Sequence, residues 1–182
     1  MSKVTFSTTQ LQAVLTKAIK GAGNNKLIPM TSLVAIEVKD GKARFTTTDA
    51  TNYLSLTIDV KDAEDFYVAV GVELLAKLVF KLSSETTTLE ITDSFLSVVG
   101  NGKYQIALDV DDDGNLIKLT NPIDKFDKSN GVGAVSSDVI TNAIASLKSA
   151  LLSTEDFPWY ECYYVNNNRR SEERRVGKEC RS

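Results

Sequence analysis

The sequence predicts an α+β fold in which antiparallel sheets carry helices on one face, built from a duplicated unit of one strand, one helix and three further strands. Three observations carry this reading. Short strand-like stretches are followed by amphipathic helical spacing at three places. Leu11, Leu75 and Ile140 hold equivalent positions in those three helices, 64 and 65 residues apart. Between the helices, the chain alternates and turns as antiparallel strands do.

Val4-Thr5-Phe6 reads as the first strand, and Ser7-Thr8-Thr9 offers N-cap hydroxyls for the helix that follows. Leu11, Val14, Leu15, Ala18 and Ile19 keep i, i+3, i+4, i+7, i+8 spacing, and Gly21-Ala-Gly23 stops the helix. Leu33–Val38 leads through Lys39-Asp40-Gly41-Lys42, a hairpin turn, into Ala43–Thr48. Leu54, Leu56, Ile58 and Val60 alternate as a further strand. The unit then repeats: Tyr67-Val-Ala-Val70 is the strand, and Leu74, Leu75, Leu78, Val79 and Leu82 form the apolar face of the second helix. Leu89–Thr92, Phe95–Val99, an Asn101-Gly102 turn and Lys103–Leu108 complete it. A third unit opens at Gly133-Ala-Val135, with Ser136-Ser-Asp138 as cap and Val139, Ile140, Ala143, Ile144, Leu147 and Leu151 as apolar face.

These units divide the chain into a complete first domain over 1–119, with half-repeats at about 3–62 and 66–119, and the truncated start of a second over 131–168. Residues 120–130 and the Asp111-Asp-Asp-Gly114 run before them read as a linker. The last fourteen residues stand apart. Six arginines occur in the chain, and five of them (Arg169, Arg170, Arg174, Arg175, Arg181) lie here, whereas the preceding 168 residues use fourteen lysines and only Arg44. Residues Arg170–Ser182 resemble translated read-through of a sequencing adapter, so 169–182 is read as a non-native tail. A charged C-terminal helix is the alternative.

Composition narrows the chemistry. With 182 residues, 42% hydrophobic and 25% charged, the chain has the makings of an ordinary core. It contains no histidine, the commonest general base and metal ligand. Cys162 and Cys180 build neither a disulfide framework nor a structural zinc site. Asp111-Asp-Asp-Gly114 lacks the downstream glutamate of a calcium loop. No catalytic residue, metal site or cofactor is therefore expected. No apolar run reaches the ~20 residues a bilayer requires, so a cytoplasmic protein without membrane contact is expected.

The net charge is −3, yet the charges are segregated. Lys17 and Lys20 lie on the first helix, with Lys26 just beyond and no acid between Phe6 and Ile36. Lys77 and Lys81 fall at i,i+4 on the second helix, with only Glu73 near its start, and Lys148 closes the third. Lysines near helix C-termini complement the helix dipole, which is one account of Lys20 and Lys81. The other is a helix face that attracts phosphate while the acidic connections repel it.

Leu27-Ile-Pro29-Met-Thr-Ser-Leu33, Phe45-Thr-Thr-Thr-Asp49 and Tyr67-Val-Ala-Val-Gly-Val-Glu-Leu-Leu-Ala-Lys77, in this order and spacing, resemble the bacterial DNA polymerase III sliding clamp. The resemblance covers residue 3 to about 165. It implies the DNA-clamp fold and, for the full-length protein, a homodimeric ring of three-domain subunits. Such a ring encircles duplex DNA without sequence preference, is placed there by a clamp loader, and tethers the replicative polymerase. Carried over residue by residue, it implies DNA contacts at Asn25 and Lys26 after the first helix and at Lys77 and Lys81. Lys17, Lys20 and Lys148 join them on charge. The aromatic pair of the second domain corresponds to Trp159 and Tyr160; read in isolation, Trp159 is a core or edge aromatic. The edge strand that meets a neighbouring subunit resembles Lys103–Leu108, with Ile106 and Leu108 as its apolar contacts. A structural or adaptor protein sharing a β–α–β repeat is the competing reading. It leaves the lysine placement unexplained.

Overall fold

The computed structural model describes residues 2–25, 27–60, 63–92, 94–111, 114–119, 135–151 and 163. The chain divides into two compact units, Met1–Asp127 and Lys128–Ser182. In the first, β1 (Ser2–Ser7) runs directly into α1 (Thr8–Gly21), and a single 3-10 turn (Pro29–Ser32) precedes β2 (Leu33–Lys39), β3 (Lys42–Thr48) and β4 (Tyr53–Asp59). The sequence of elements then recurs as β5 (Phe66–Gly71), α2 (Val72–Val79), β6 (Thr86–Ile91), β7 (Phe95–Val99) and β8 (Lys103–Ala107).

The two halves exchange their leading strands. One antiparallel sheet has the order β1-β6-β7-β8, and the other β4-β3-β2-β5. Val4 pairs with Leu89 across β1 and β6, and Ile36 with Val68 across β2 and β5. Each four-stranded sheet therefore takes three strands from one half and its fourth from the other. One core serves both. Val4, Phe6, Leu89, Leu96 and Val98 of the first sheet cluster with Ile36, Val38, Phe45 and Val70 of the second, and with apolar residues of both helices. The rings of Phe6 and Phe45, one from each sheet, meet in a tilted arrangement at 5.9 Å.

Helix α1 buries Leu11, Val14, Leu15 and Ala18 as its spacing predicts. Its N-terminus is satisfied differently from expectation. Ser7 is the N-cap residue but makes no side-chain cap bond. Instead, the Thr8 amide donates to Glu85 O (3.0 Å), and the Thr8 and Thr87 hydroxyls bond at 2.8 Å in the interior. The partners of the first turn come from the other half-repeat.

Helix α2 is shorter than expected and rotated from the predicted face. It spans eight residues and buries Val72, Leu75, Ala76 and Val79, an i, i+3, i+4, i+7 set, with Leu82 following in the next turn. Leu74 points outward and is 51% exposed. Lys81 lies past the helix end, its amide donating to Leu78 O at 3.1 Å.

The hairpin turn lies where expected. Lys39 pairs with Lys42, and Asp40 (φ 50°) and Gly41 (φ 71°) both adopt the left-handed conformation of a two-residue turn. At the sheet edge, β4 is half-buried along most of its length rather than cleanly two-faced, with Leu56, Ile58 and Val60 packed against the core.

In the second unit, α3 (Ser137–Leu147) is capped by Ser136, whose Oγ accepts from Val139 N, and runs into a 3-10 turn at Lys148–Ala150. None of its residues is buried, and Val139, Ile140 and Ile144 are exposed. The expected strand Gly133–Val135 lies, apart from Val135, outside the described residues, as do the expected linker 120–130 and tail 169–182.

Candidate nucleic-acid interface

α1 packs against α2, and both helices rest on strands of both sheets. The pairing is pinned by Gln12, whose side-chain amide donates to the carbonyls of Val79 (3.0 Å) and Leu82 (3.4 Å) at the end of α2. Carbonyls at a helix C-terminus lack intrahelical donors, so a side chain from the neighbouring helix both caps α2 and fixes its distance from α1.

The outer surfaces of this pair carry the cations. Lys17 and Lys20 are exposed on α1, and Lys77 and Lys81 are exposed on α2 and the turn after it. Lys77 Nζ lies 3.2 Å from Glu73 Oε2 one turn earlier, with both side chains about two-thirds exposed or more (71% and 67%). An open i,i+4 pair of this kind is worth roughly 0.3–0.5 kcal/mol, so an incoming phosphate can compete for the ammonium group.

The loop after α1 is rigidly built. Gly23 N donates to Thr31 O (2.9 Å) and Thr48 O (3.2 Å). Thr31, fully buried, donates its hydroxyl to Ile28 O at 2.8 Å and accepts from Asn25 N at 3.3 Å. Asn25 is exposed, but its side-chain oxygen already accepts from Leu27 N (3.0 Å), so it shapes the turn. Lys26 lies outside the described residues.

Asp49 is a charged residue that sequence reasoning passed over as part of a strand end. Its carboxylate is held below the usual carboxylate range, first by the Asn52 side chain and then by the backbone amides of Asn52 and Thr51. Its backbone sits beside Gly23, where an added Cβ would lie 3.0 Å from Asp49 Cα. A fixed anion thus flanks the loop that follows α1. The Asp-x-x-Asn spacing of a side-chain-closed turn was the available signal.

Lys148 is exposed, but in the second unit. Trp159 and Tyr160 lie outside the described residues. Ile106 and Leu108 face the chain's own core, with 4% and 9% exposure, so their side chains do not present the apolar contacts expected of them. Among the described residues no strand pairs with the outer edge of β8, where Lys103, Gln105 and Ala107 are exposed. Lys103 reaches across β7 to Glu90 at 2.8 Å.

Exposed ammonium groups on two packed helices can hold phosphates as point charges, without the planar geometry that reads bases. No protein-family model matches the chain, and no curated protein does. Solved structures do. The DNA polymerase III beta subunit of Thermotoga maritima superposes with a TM-score of 0.66 at 21% identity, over 86% of this chain and 41% of that one. A sliding clamp from Bartonella birtlesii bound to griselimycin gives a TM-score of 0.72 at 16% identity, over 92% and 44%. The Helicobacter pylori beta clamp bound to a DNA ligase peptide gives 0.56 at 15%, over 65% and 33%. The chain spans less than half the length of these clamps, and the fold it shares with them is that of the bacterial sliding clamp.

Proposed function

We propose that the chain is part of a DNA polymerase processivity factor, comprising the first domain and the start of the second of a sliding clamp that encircles duplex DNA. The observation that carries this reading is the exposure of Lys17 and Lys20 on α1, Lys77 on α2 and Lys81 in the turn after it, on two helices that pack together within a clamp fold. That surface is the DNA side, and it grips phosphates loosely enough to slide. The factor performs no reaction of its own. Holding the replicative polymerase on the template raises its effective concentration at the primer end. The H. pylori clamp with its ligase peptide supports the same tethering of other replication enzymes. In the full-length protein, a clamp loader sets a homodimeric ring on DNA. The open backbone edge of β8 meets the neighbouring subunit there, since Ile106 and Leu108 are occupied by the core.

The test is topological. Full-length protein loaded on closed circular DNA stays bound through a high-salt wash and is released when the circle is linearised. Equal retention on circular and linear DNA would favour a surface-binding adaptor instead.

A further inference from the structure

We infer that the C-terminal turn of α2 is a stacking site for an unpaired nucleobase, with Phe80 as the platform and Lys77 and Lys81 as flanking phosphate contacts. This rests on the reading that the α1–α2 surface meets nucleic acid. Phe80 is 45% exposed although it sits in an ordered turn rather than a loose loop. Its amide donates to Ala76 O at 2.9 Å, those of Lys81 and Leu82 to Leu78 O and Val79 O at 3.1 Å each. Gln12 holds the same turn from α1, and Leu82, 5% exposed, anchors it in the core.

An apolar ring displayed on a fixed backbone loses little freedom when something stacks on it. Phe80, the C-cap residue, keeps the helical backbone conformation three positions after Lys77 and so lies one turn along from it, and Lys81 follows directly in the turn. An exposed aromatic ring with two cations close to it in the chain is the chemistry that holds single-stranded nucleic acid, where base faces are available and the backbone is close. Duplex DNA presents phosphates and base edges but no base face. Lysines alone would suffice for the duplex, and the exposed ring finds use where strands separate. Glu73, the acid nearest on this helix, is engaged by Lys77.

The experiment is fluorescence anisotropy of the 182-residue chain with labelled oligo-dT and with a duplex of equal length, at low salt. Phe80→Ala is expected to weaken oligo-dT binding roughly tenfold, the effect of losing one stacked base, and to leave duplex binding within about twofold. Phe80→Trp retains oligo-dT binding, and its added indole emission is quenched by the oligonucleotide. Phe95→Ala, which removes a ring of similar exposure (43%) elsewhere, changes neither affinity. Oligo-dT binding by Phe80→Ala equal to wild type, with duplex binding intact and salt-sensitive, overturns this inference alone. Failure of the wild-type chain to bind oligo-dT overturns the inference whatever the duplex result, while the DNA reading stands or falls on retention of the full-length protein on circular DNA. Displacement of oligo-dT by polyglutamate from wild type and Phe80→Ala with equal potency assigns the patch to acidic protein segments, and the inference falls.

Discussion

The side-chain amide of Gln12 donates to the carbonyl oxygen of Val79 at 3.0 Å, tying the first turns of one repeat's helix to the last turn of the other's. The same amide reaches Leu82 O, so one side chain sets the spacing of the two lysine-bearing elements. Gln12→Ala should lower stability by about 1 kcal/mol, the net worth of a partly buried hydrogen bond. In urea denaturation the midpoint falls with an unchanged slope. A changed slope would mean that the helix pair had loosened in the native state.

Close approach of α1 to the second sheet predicts a steric effect at Gly21. A Cβ there would lie 2.6 Å from Leu54 Cβ and 2.7 Å from Thr47 Oγ1, and Thr47 Oγ1 already donates to Ala18 O at 3.0 Å. Both neighbours are close to backbone and cannot swing aside. Gly21→Ala should cost ~1–3 kcal/mol by overpacking, despite alanine's better helix propensity. Gly71→Ala is the contrast, since its nearest neighbour would be Leu74 Cβ at 4.0 Å. That variant should cost less, about 1 kcal/mol or below, the effect of a poorer N-cap residue without a clash. Equal costs at the two positions would contradict the packing described.

Neutralising Lys77 and Lys81 together tests the charge argument apart from folding. Both are exposed, and among the described residues the ion pair lost is the open one to Glu73. Lys77→Gln/Lys81→Gln should therefore unfold at the wild-type urea concentration. In the full-length protein, the slope of log affinity for duplex DNA against log salt should become shallower by roughly 1–2, near 0.9 for each phosphate contact removed. An unchanged slope places the DNA surface elsewhere.

Local features were legible in the sequence where local physics decides them. Asp40-Gly41 between two strands demands a left-handed turn, and the α1 spacing admits only one buried face. Exposure of the lysines follows from the cost of burying charge. The strand exchange was not legible, because pairing Val4 with Leu89 leaves no trace in either neighbourhood. In α2, Leu74, Leu75, Leu78 and Val79 fit a stripe that overlaps the true one, and Val72 and Ala76 decided the frame. At β8, the alternation of Ile106 and Leu108 revealed that one side is buried but not what buries it, and the chain's own core does so.

Tyr67 gives the fold a dependence on alkaline pH. Its hydroxyl accepts from Leu119 N at 2.7 Å, holding the stretch beyond β8 against β5. Burial pushes its pKa above the usual 10, the Glu37 carboxylate acts in the same direction, and the Leu119 bond opposes them. An unfolded tyrosine ionises near 10. Between that pH and the raised folded value, the native state keeps a proton that the unfolded chain has lost, so stability must fall as pH rises. The stabilisation is complete below pH 10 and drains away through the folded pKa. Tyr67→Phe leaves Leu119 N without its acceptor and should cost about 1 kcal/mol at neutral pH. Because phenylalanine does not titrate, that gap should narrow when urea denaturation of both proteins is followed from about pH 8 to 11. A gap that stays constant over this range would mean that the phenol ionises equally in both states, and that its burial is not maintained in solution.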